Sequence, residues 1–260
     1  MPNFTRLKTG GTVNFQDCTG LNGPAPEFTA LTSCRIITFQ GCTGLTGTPT
    51  FPVFANLISG VIDFRGCTGL TEAPTFPELQ NATGGYSNNY IDFTGCTKMV
   101  GQAPVFPKLT TMNGNWGFSI DFSGLTGLTG APSFSALTNL NGTINFQGCT
   151  GLNGIAVFSA LQTIGGTINF SGCTSLAGIT LENCTVSAGT WNGINLTNTG
   201  ITTVNLSGSA LSGTLDMTKL TNLTTLILTG CTGTSTCKLH ASRQELVEII
   251  NQPTDVTITY

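Results

Sequence analysis

Along the first 176 residues the apolar positions fall into one repeating phrase: an aliphatic residue, any residue, Phe, two small or polar residues, Cys, Thr, a variable residue and Leu. Ile144, Phe146, Cys149 and Leu152 spell it out, and Ile168, Phe170, Cys173 and Leu176 repeat it. Earlier copies centre on Phe15, Phe39, Phe64, Phe93 and Phe122, so successive Phe lie 24, 25, 29, 29, 24 and 24 residues apart. An interval of this size is one supersecondary unit per repeat. Such a unit has too little apolar surface to fold alone, so it must stack on its neighbours and share a continuous core.

Within each copy the period is two. Ile144 and Phe146 point inward on a short strand, Thr143, Asn145 and Gln147 point outward, and Cys149 and Leu152 carry the core round a turn. A second apolar pair follows, introduced by Pro: Pro49 with Phe51, Pro74 with Phe76 and Leu79, Pro104 with Phe106 and Leu109, Pro132 with Phe134 and Leu137. Proline cannot donate to a ladder, which makes this return side extended or irregular rather than helical. The expected fold is therefore mainly β: a single elongated right-handed solenoid with a parallel sheet and few helices, spanning residues 1–260.

The phrase resembles the strand segment of leucine-rich repeats in their cysteine-containing form, LxLxxCxxL, with Phe in place of the second Leu. Stretches such as FSALQTIGGTINF, from Phe158 to Phe170, are also similar to receptor L domains and to bacterial surface proteins whose units end in FxGCxxL. The resemblance covers nearly the whole chain and implies architecture more than activity, because such solenoids serve many functions.

Three zones follow from the spacing: 1–176 with long repeats, 177–238 with shorter ones, and 239–260 as a cap. In the middle zone candidate strands at Ile179–Leu181, Ile194–Leu196, Val204–Leu206, Leu215–Met217 and Leu226–Leu228 are only about 10 to 15 residues apart, as if both long sides were strands. In the last zone Ser242 and Glu245 form a capping box, and Leu246, Ile249 and Ile250 fall at helical spacing, predicting a short helix from about Ala241 to Ile250 and a strand from Val256 to Tyr260.

Composition narrows the partners. Charged residues make up 8% of the chain, against roughly 25% in ordinary soluble proteins, so the surface is built from Thr, Ser, Asn and Gly. A net charge of −3 with scattered Lys and Arg leaves no basic stripe for nucleic acid. The amino terminus lacks an apolar leader and no run of 18 apolar residues occurs, so neither a secretion signal nor membrane insertion is expected; synthesis in the cytoplasm with action on a virion or cell surface fits this pattern.

Cys18, Cys42, Cys67, Cys96, Cys149 and Cys173 share one slot of the phrase, which Leu125 fills in the fifth copy. That argues for reduced core cysteines rather than a disulfide framework. Cys231 and Cys237 stand apart and are the candidate pair. With His240 as the single histidine, neither a zinc cluster nor a Ser, His and Asp arrangement can be assembled.

Aligning the copies yields one outward column just before the central Phe or Leu: Asn14, Thr38, Asp63, Asp92, Asp121, Asn145, Asn169, Asn195 and Asn205. In register these side chains are about 4.8 Å apart, close enough for an amide ladder among the Asn. Three adjacent carboxylates repel, so Asp63, Asp92 and Asp121 need an offset: raised pKa values, hydrogen bonds from Thr, Ser or Asn, or a cation, for which calcium is the candidate. The neighbouring outer column, Thr12, Ile36, Val61, Tyr90, Ser119, Thr143 and Thr167, is too mixed to form the regular lattice that binding to ice would require.

The same two copies carry the only large insertions, QNATGGYSNNY and TTMNGNWGFS, which bring Tyr86, Tyr90, Trp116 and Phe118 beside Asp92 and Asp121. Aromatic rings among Asn, Asp and Ser suit the stacking of a sugar ring or the anchoring of a protein partner; the alternative is that the rings fold back and plug the wider turns. Tyr90, on the strand, is expected at the surface. The composition resembles bacterial adhesins and the receptor-binding ends of phage tail fibres. The expected role is a non-enzymatic recognition module for a glycan or protein receptor, without a cofactor; the alternative is a structural virion or scaffold component packed on neighbouring subunits.

Overall fold

A computed structural model describes residues 3–84, 89–114 and 118–260. The chain forms a parallel β-solenoid of about 10 turns. Every paired strand is parallel to its neighbour, and partners lie one turn apart in sequence, as in Val61↔Tyr90, Ile62↔Ile91 and Asp63↔Asp92. One sheet of 13 strands runs along the first eight turns. The third to seventh turns each give it two short segments, such as Asn139–Asn141 and Thr143–Asn145, joined at a corner. A five-stranded sheet covers the return side from Ile155–Val157 to Glu248–Ile250, and a four-stranded sheet from Thr185–Ser187 to Val256–Thr259 completes the carboxyl-terminal end. Among the described residues the single α-helix, α1, is Ala188–Asn192.

Stacking of identical turns places like side chains on like. Phe15, Phe39, Phe64, Phe93, Phe122, Phe146 and Phe170 form one column of rings with centroids 5.1 to 5.7 Å apart and planes within 15°. Phe28, Phe51, Phe76, Phe106, Phe134 and Phe158, the residues introduced by proline or its counterpart, form a second, at 4.9 to 5.5 Å. Apart from Phe15 at the open end, all of these rings are buried. Offset ring pairs contribute about 0.5–1.5 kcal/mol each beyond their buried area. Stacking is thus both the core and the register signal.

Cysteine has a defined task beside these columns. The thiols of Cys42, Cys67 and Cys96 donate to the carbonyl oxygens of Phe15, Phe39 and Phe64 in the preceding turn, at 2.9 to 3.1 Å, and Cys149 and Cys173 do the same to Phe122 and Phe146. On the return side Cys184 and Cys231 donate to Phe158 and Leu206, and the equivalent Ser209, fully buried, donates its hydroxyl to Leu181 at 2.5 Å. On the sheet side the slot favours a small donor, with Leu125 and Leu220 as its apolar occupants, whereas the return side of the early turns carries Leu or Phe there, as in Leu79 and Leu109. All ten cysteines are free, Cys231 and Cys237 included.

The residue before this slot turns the chain in the left-handed region. Gly41, Gly66, Gly95, Gly124, Gly148 and Gly172 have φ between 69° and 76°, and Asp17, Asn183 and Asn198 take the position at 54° to 57°. These are the residue types that tolerate such a backbone.

Two expectations are corrected here. Only Ala241–Arg243 forms a helical turn, of the 3-10 type. Glu248–Ile250 is a strand paired with Thr225–Ile227. Leu246 is 58% exposed while Val247 is 8%, which is strand alternation. The open edge of the return sheet needs a hydrogen-bonded partner, and that demand outweighs the local helical signal. Asn205 lies in the return sheet, opposite Thr180, and so leaves the predicted column. The shorter intervals after residue 176 are half-turns alternating between faces. Val256–Thr259 is a strand as expected.

Candidate functional site

The outward column exists from Asn14 to Asn195, each member directly opposite the next: Asn14, Thr38, Asp63, Asp92, Asp121, Asn145, Asn169, Asn195. Its first task is structural. In each turn the side-chain oxygen accepts from the backbone N–H two residues on, as Asp63 does from Arg65 at 3.0 Å, Asp92 from Thr94 at 2.8 Å, Asp121 from Ser123 at 2.8 Å and Asn145 from Gln147 at 3.1 Å. This is the local turn that Asn and Asp side chains favour, and it closes each strand before the left-handed corner. Asp216 does the same to Thr218 at 3.0 Å, a residue the sequence alignment passed over.

Amide-to-amide bonds occur as separate pairs in two other columns. Asn81 donates to Asn56 at 2.9 Å and Asn141 to Asn113 at 3.1 Å, on the other segment of each turn.

The three aspartates meet different fates. Asp63 is 2% exposed; its Oδ2 accepts from Arg65 Nη2 at 2.6 Å and from the Tyr90 hydroxyl at 3.0 Å, and its Oδ1 from Arg65 Nε at 3.0 Å. The guanidinium lies 5.1 Å from the centre of the Tyr90 ring, also reaches Gln40 Oε1 at 3.2 Å, and approaches Asp92 at 3.8 Å. Asp121 Oδ2 accepts from Asn145 Nδ2 at 2.9 Å. The offset to the stacked carboxylates is thus the fork of Arg65, supported by amides. Arg65 was legible: it is the only cation two positions beyond a column residue, where other copies carry Gln, Thr or Ser.

Burial pushes the Asp92 carboxyl above the ordinary carboxylate range, and the neighbouring Asp121 charge adds to this against the opposing pull of the Thr94 hydrogen bonds and Arg65. Burial and the charge of Asp63 push the Tyr90 hydroxyl up to about 12. Both raised values describe groups held in a packed cluster.

Of the predicted binding residues, Tyr90, Asp92 and Asp121 come together with Asp63. Tyr90 is half-buried rather than fully on the surface, because its ring covers Arg65. Phe118 is a correction: it is 1% exposed and belongs to the core. The reason is alternation, since Phe118 and Ile120 are two apart and Ile120 faces inward. Tyr86 and Trp116 lie outside the described residues. In sequence, 85–88 follow the strand Asn81–Gly84 and precede Asn89–Asp92, and 115–117 follow Thr111–Gly114 and precede Phe118–Asp121.

The calcium reading does not fit this donor set. Both oxygens of Asp63 are directed at a guanidinium, and among the described residues no group of three His, Cys, Asp or Glu is placed to hold a metal ion. No helix among them is long and apolar enough to cross a membrane.

No family model, no curated protein and no solved structure matches the chain. The architecture is that of a parallel β-solenoid.

Proposed function

We propose that this solenoid is a non-enzymatic recognition module, leucine-rich-repeat-like in its phrase and of the adhesin or phage tail-fibre type, contacting a glycan or protein receptor. The supporting observation is that the two repeats with the long sequence insertions containing Tyr86 and Trp116 are the ones that supply Tyr90, Asp92 and Asp121 to the cluster around Arg65. The surrounding columns of Asn, Thr, Gln and Ser offer donors and acceptors at the fixed spacing of a sheet, and extra residues on one face of a repeat array usually form its binding face. Rigid strands preorganise the polar groups, so little ordering entropy opposes binding. A glycan and protein-receptor array with the parent chain, Tyr86→Ala and Trp116→Ala tests this: binding by the parent that falls at least tenfold in either variant supports it, and unchanged binding in both removes the aromatic insertions from the reading.

One observation favours the structural alternative. Val100, Val105 and Ile155 are 52%, 40% and 47% exposed on the return side, next to a groove lined by Ala73, Pro74, Ala103 and Pro104. A scaffold component would bury such a face on a neighbouring subunit.

A further inference from the structure

The long sheet is interrupted at one place. Through the earlier turns the N–H of each column Phe donates to the next turn, as Phe64 does to Asp92 O, Phe146 to Asn169 O and Phe170 to Asn195 O, each at 2.8 to 2.9 Å. Leu196 is the next member of that series. Its N–H has no partner among the described residues, although Leu196 is only 5% exposed. The Ile194–Asn195 strand pairs backward with Thr167–Asn169 and forward with nothing, while the equivalent part of the following turn, Gly213–Met217, pairs only onward with Ser235–Leu239. The two turns remain joined at Thr185–Ser187 with Ala210–Ser212 and at Thr203–Asn205 with Thr225–Ile227. They splay on a single side.

The cause is α1, inserted between Thr185–Ser187 and Ile194–Asn195. Its Trp191 is 4% exposed and acts as a wedge: the indole Nε1 donates at 2.8 Å to Asp216 O, the carbonyl at the position that would receive the Leu196 N–H in an unbroken ladder. A cleft of about 330 Å³ remains, lined by Trp191, Asn192, Asn195, Thr197, Asp216 and Lys219, with Ile194 and Leu196 at its base. Asp216 Oδ1 is engaged by Thr218, whereas its Oδ2 has no hydrogen bond among the described residues, and the side-chain nitrogens of Asn192 and Asn195 have none either.

We propose that this cleft is a saccharide subsite, sized for a single sugar unit. Its volume is at the small end of ligand sites. Amides, a hydroxyl and one carboxylate present alternating donors and acceptors, the pattern that adjacent ring hydroxyls satisfy. The opposite charges of Asp216 and Lys219 favour a ligand without net charge. The apolar edges of Trp191, Ile194 and Leu196 suit the C–H face of a ring, and the unpaired Leu196 N–H, costly when buried, gains an oxygen acceptor. The site is built from the eighth and ninth turns and does not rest on the reading of Tyr86 and Trp116.

The test is saturation-transfer NMR on the full chain with free glucose, galactose, mannose and N-acetylglucosamine, and with glycine and serine as small zwitterions. The proposal expects transfer to at least one sugar, reduced at least tenfold by Asp216→Ala and retained in Tyr86→Ala and Trp116→Ala. Should Asp216→Ala lose its circular-dichroism signature, Asp216→Asn, which keeps an acceptor for the Thr218 N–H, takes its place. Absence of transfer to every sugar, transfer unaffected by the Asp216 change, or transfer to glycine and serine in preference to sugars overturns the proposal. Loss in the Tyr86 or Trp116 variants alone also overturns it, while supporting recognition by those residues.

Discussion

Replacing Asp92 by Asn tests the electrostatic account of the acidic column directly. Asp92 is directly opposite Asp63 on one side and Asp121 on the other, and its side chain is 16% exposed. Two charges at the strand spacing of about 4.8 Å repel by roughly 3 kcal/mol at an effective dielectric of 20 and by under about 1 kcal/mol in water. Arg65, 3.8 Å away, cancels much of that repulsion, leaving desolvation as the leading penalty on the charged form. Asn keeps the turn, because an amide oxygen accepts the backbone N–H equally well, as Asn145 and Asn169 show. The net expectation at pH 7 is a gain of about 0.2–1 kcal/mol, the scale of cross-strand side-chain pairs.

The sign with pH follows from linkage. Asp92 titrates higher in the folded chain than its ordinary 3.8, so the native state holds the proton to higher pH than the unfolded one. The parent therefore loses stability as pH rises through that window, and the variant does not. Its advantage should be absent near pH 3 and complete by neutrality. Urea unfolding of both chains followed by circular dichroism at several pH values measures this. A variant less stable than the parent at pH 7, or a difference that is flat with pH, would refute the argument.

Three further outcomes are expected. Arg65→Gln leaves the nearly buried Asp63 carboxylate without its counterion; discounted for the 38% exposure of the Arg65 side chain, the loss should be about 1–2 kcal/mol in the same urea assay. Native protein treated with Ellman's reagent should show one fast thiol, Cys18, the only exposed cysteine of ten; burial holds Cys34, Cys67 and Cys149 up at about 12, and all ten should react after denaturation. Gly148→Ala introduces a Cβ that meets nothing closer than 4.0 Å, so its cost is confined to the φ of +71°, about 1–2 kcal/mol by melting or urea titration.

The fold was legible because stacking makes each turn a template for the next: Phe39, Phe64 and Phe93 occupy one environment and must be one residue type. The cysteine slot was legible as core, but its donor role was not, since Leu125 masked it and Ser209 lay on the half-turn where the phrase changes. Asn205 was misplaced for the same reason, because one sequence interval can mean a full turn or half of one. Phe118 could have been assigned from its two-residue step to Ile120; the insertion beside it drew it into the loop. The broken ladder at Leu196 left no mark in composition. It depends on where Trp191 settles, which no local pattern specifies.

α1 enters at one corner of the turn, between Thr185–Ser187 and Ile194–Asn195. Elsewhere that corner is crossed by a residue or two, as by Gly142 between Asn139–Asn141 and Thr143–Asn145. Neither phenylalanine column, the thiol ladder nor the left-handed corner passes through it. The short crossings are tightly held, since a Cβ on Gly142 would meet Phe118 O and the Gly142 carbonyl accepts from Thr167 N–H at 2.8 Å; the corner therefore admits extra length where the chain leaves the sheet, as α1 does, but not a larger side chain in the short crossing. For engineering, α1 marks the insertion point at which a grafted segment is already accommodated by the stacked turns.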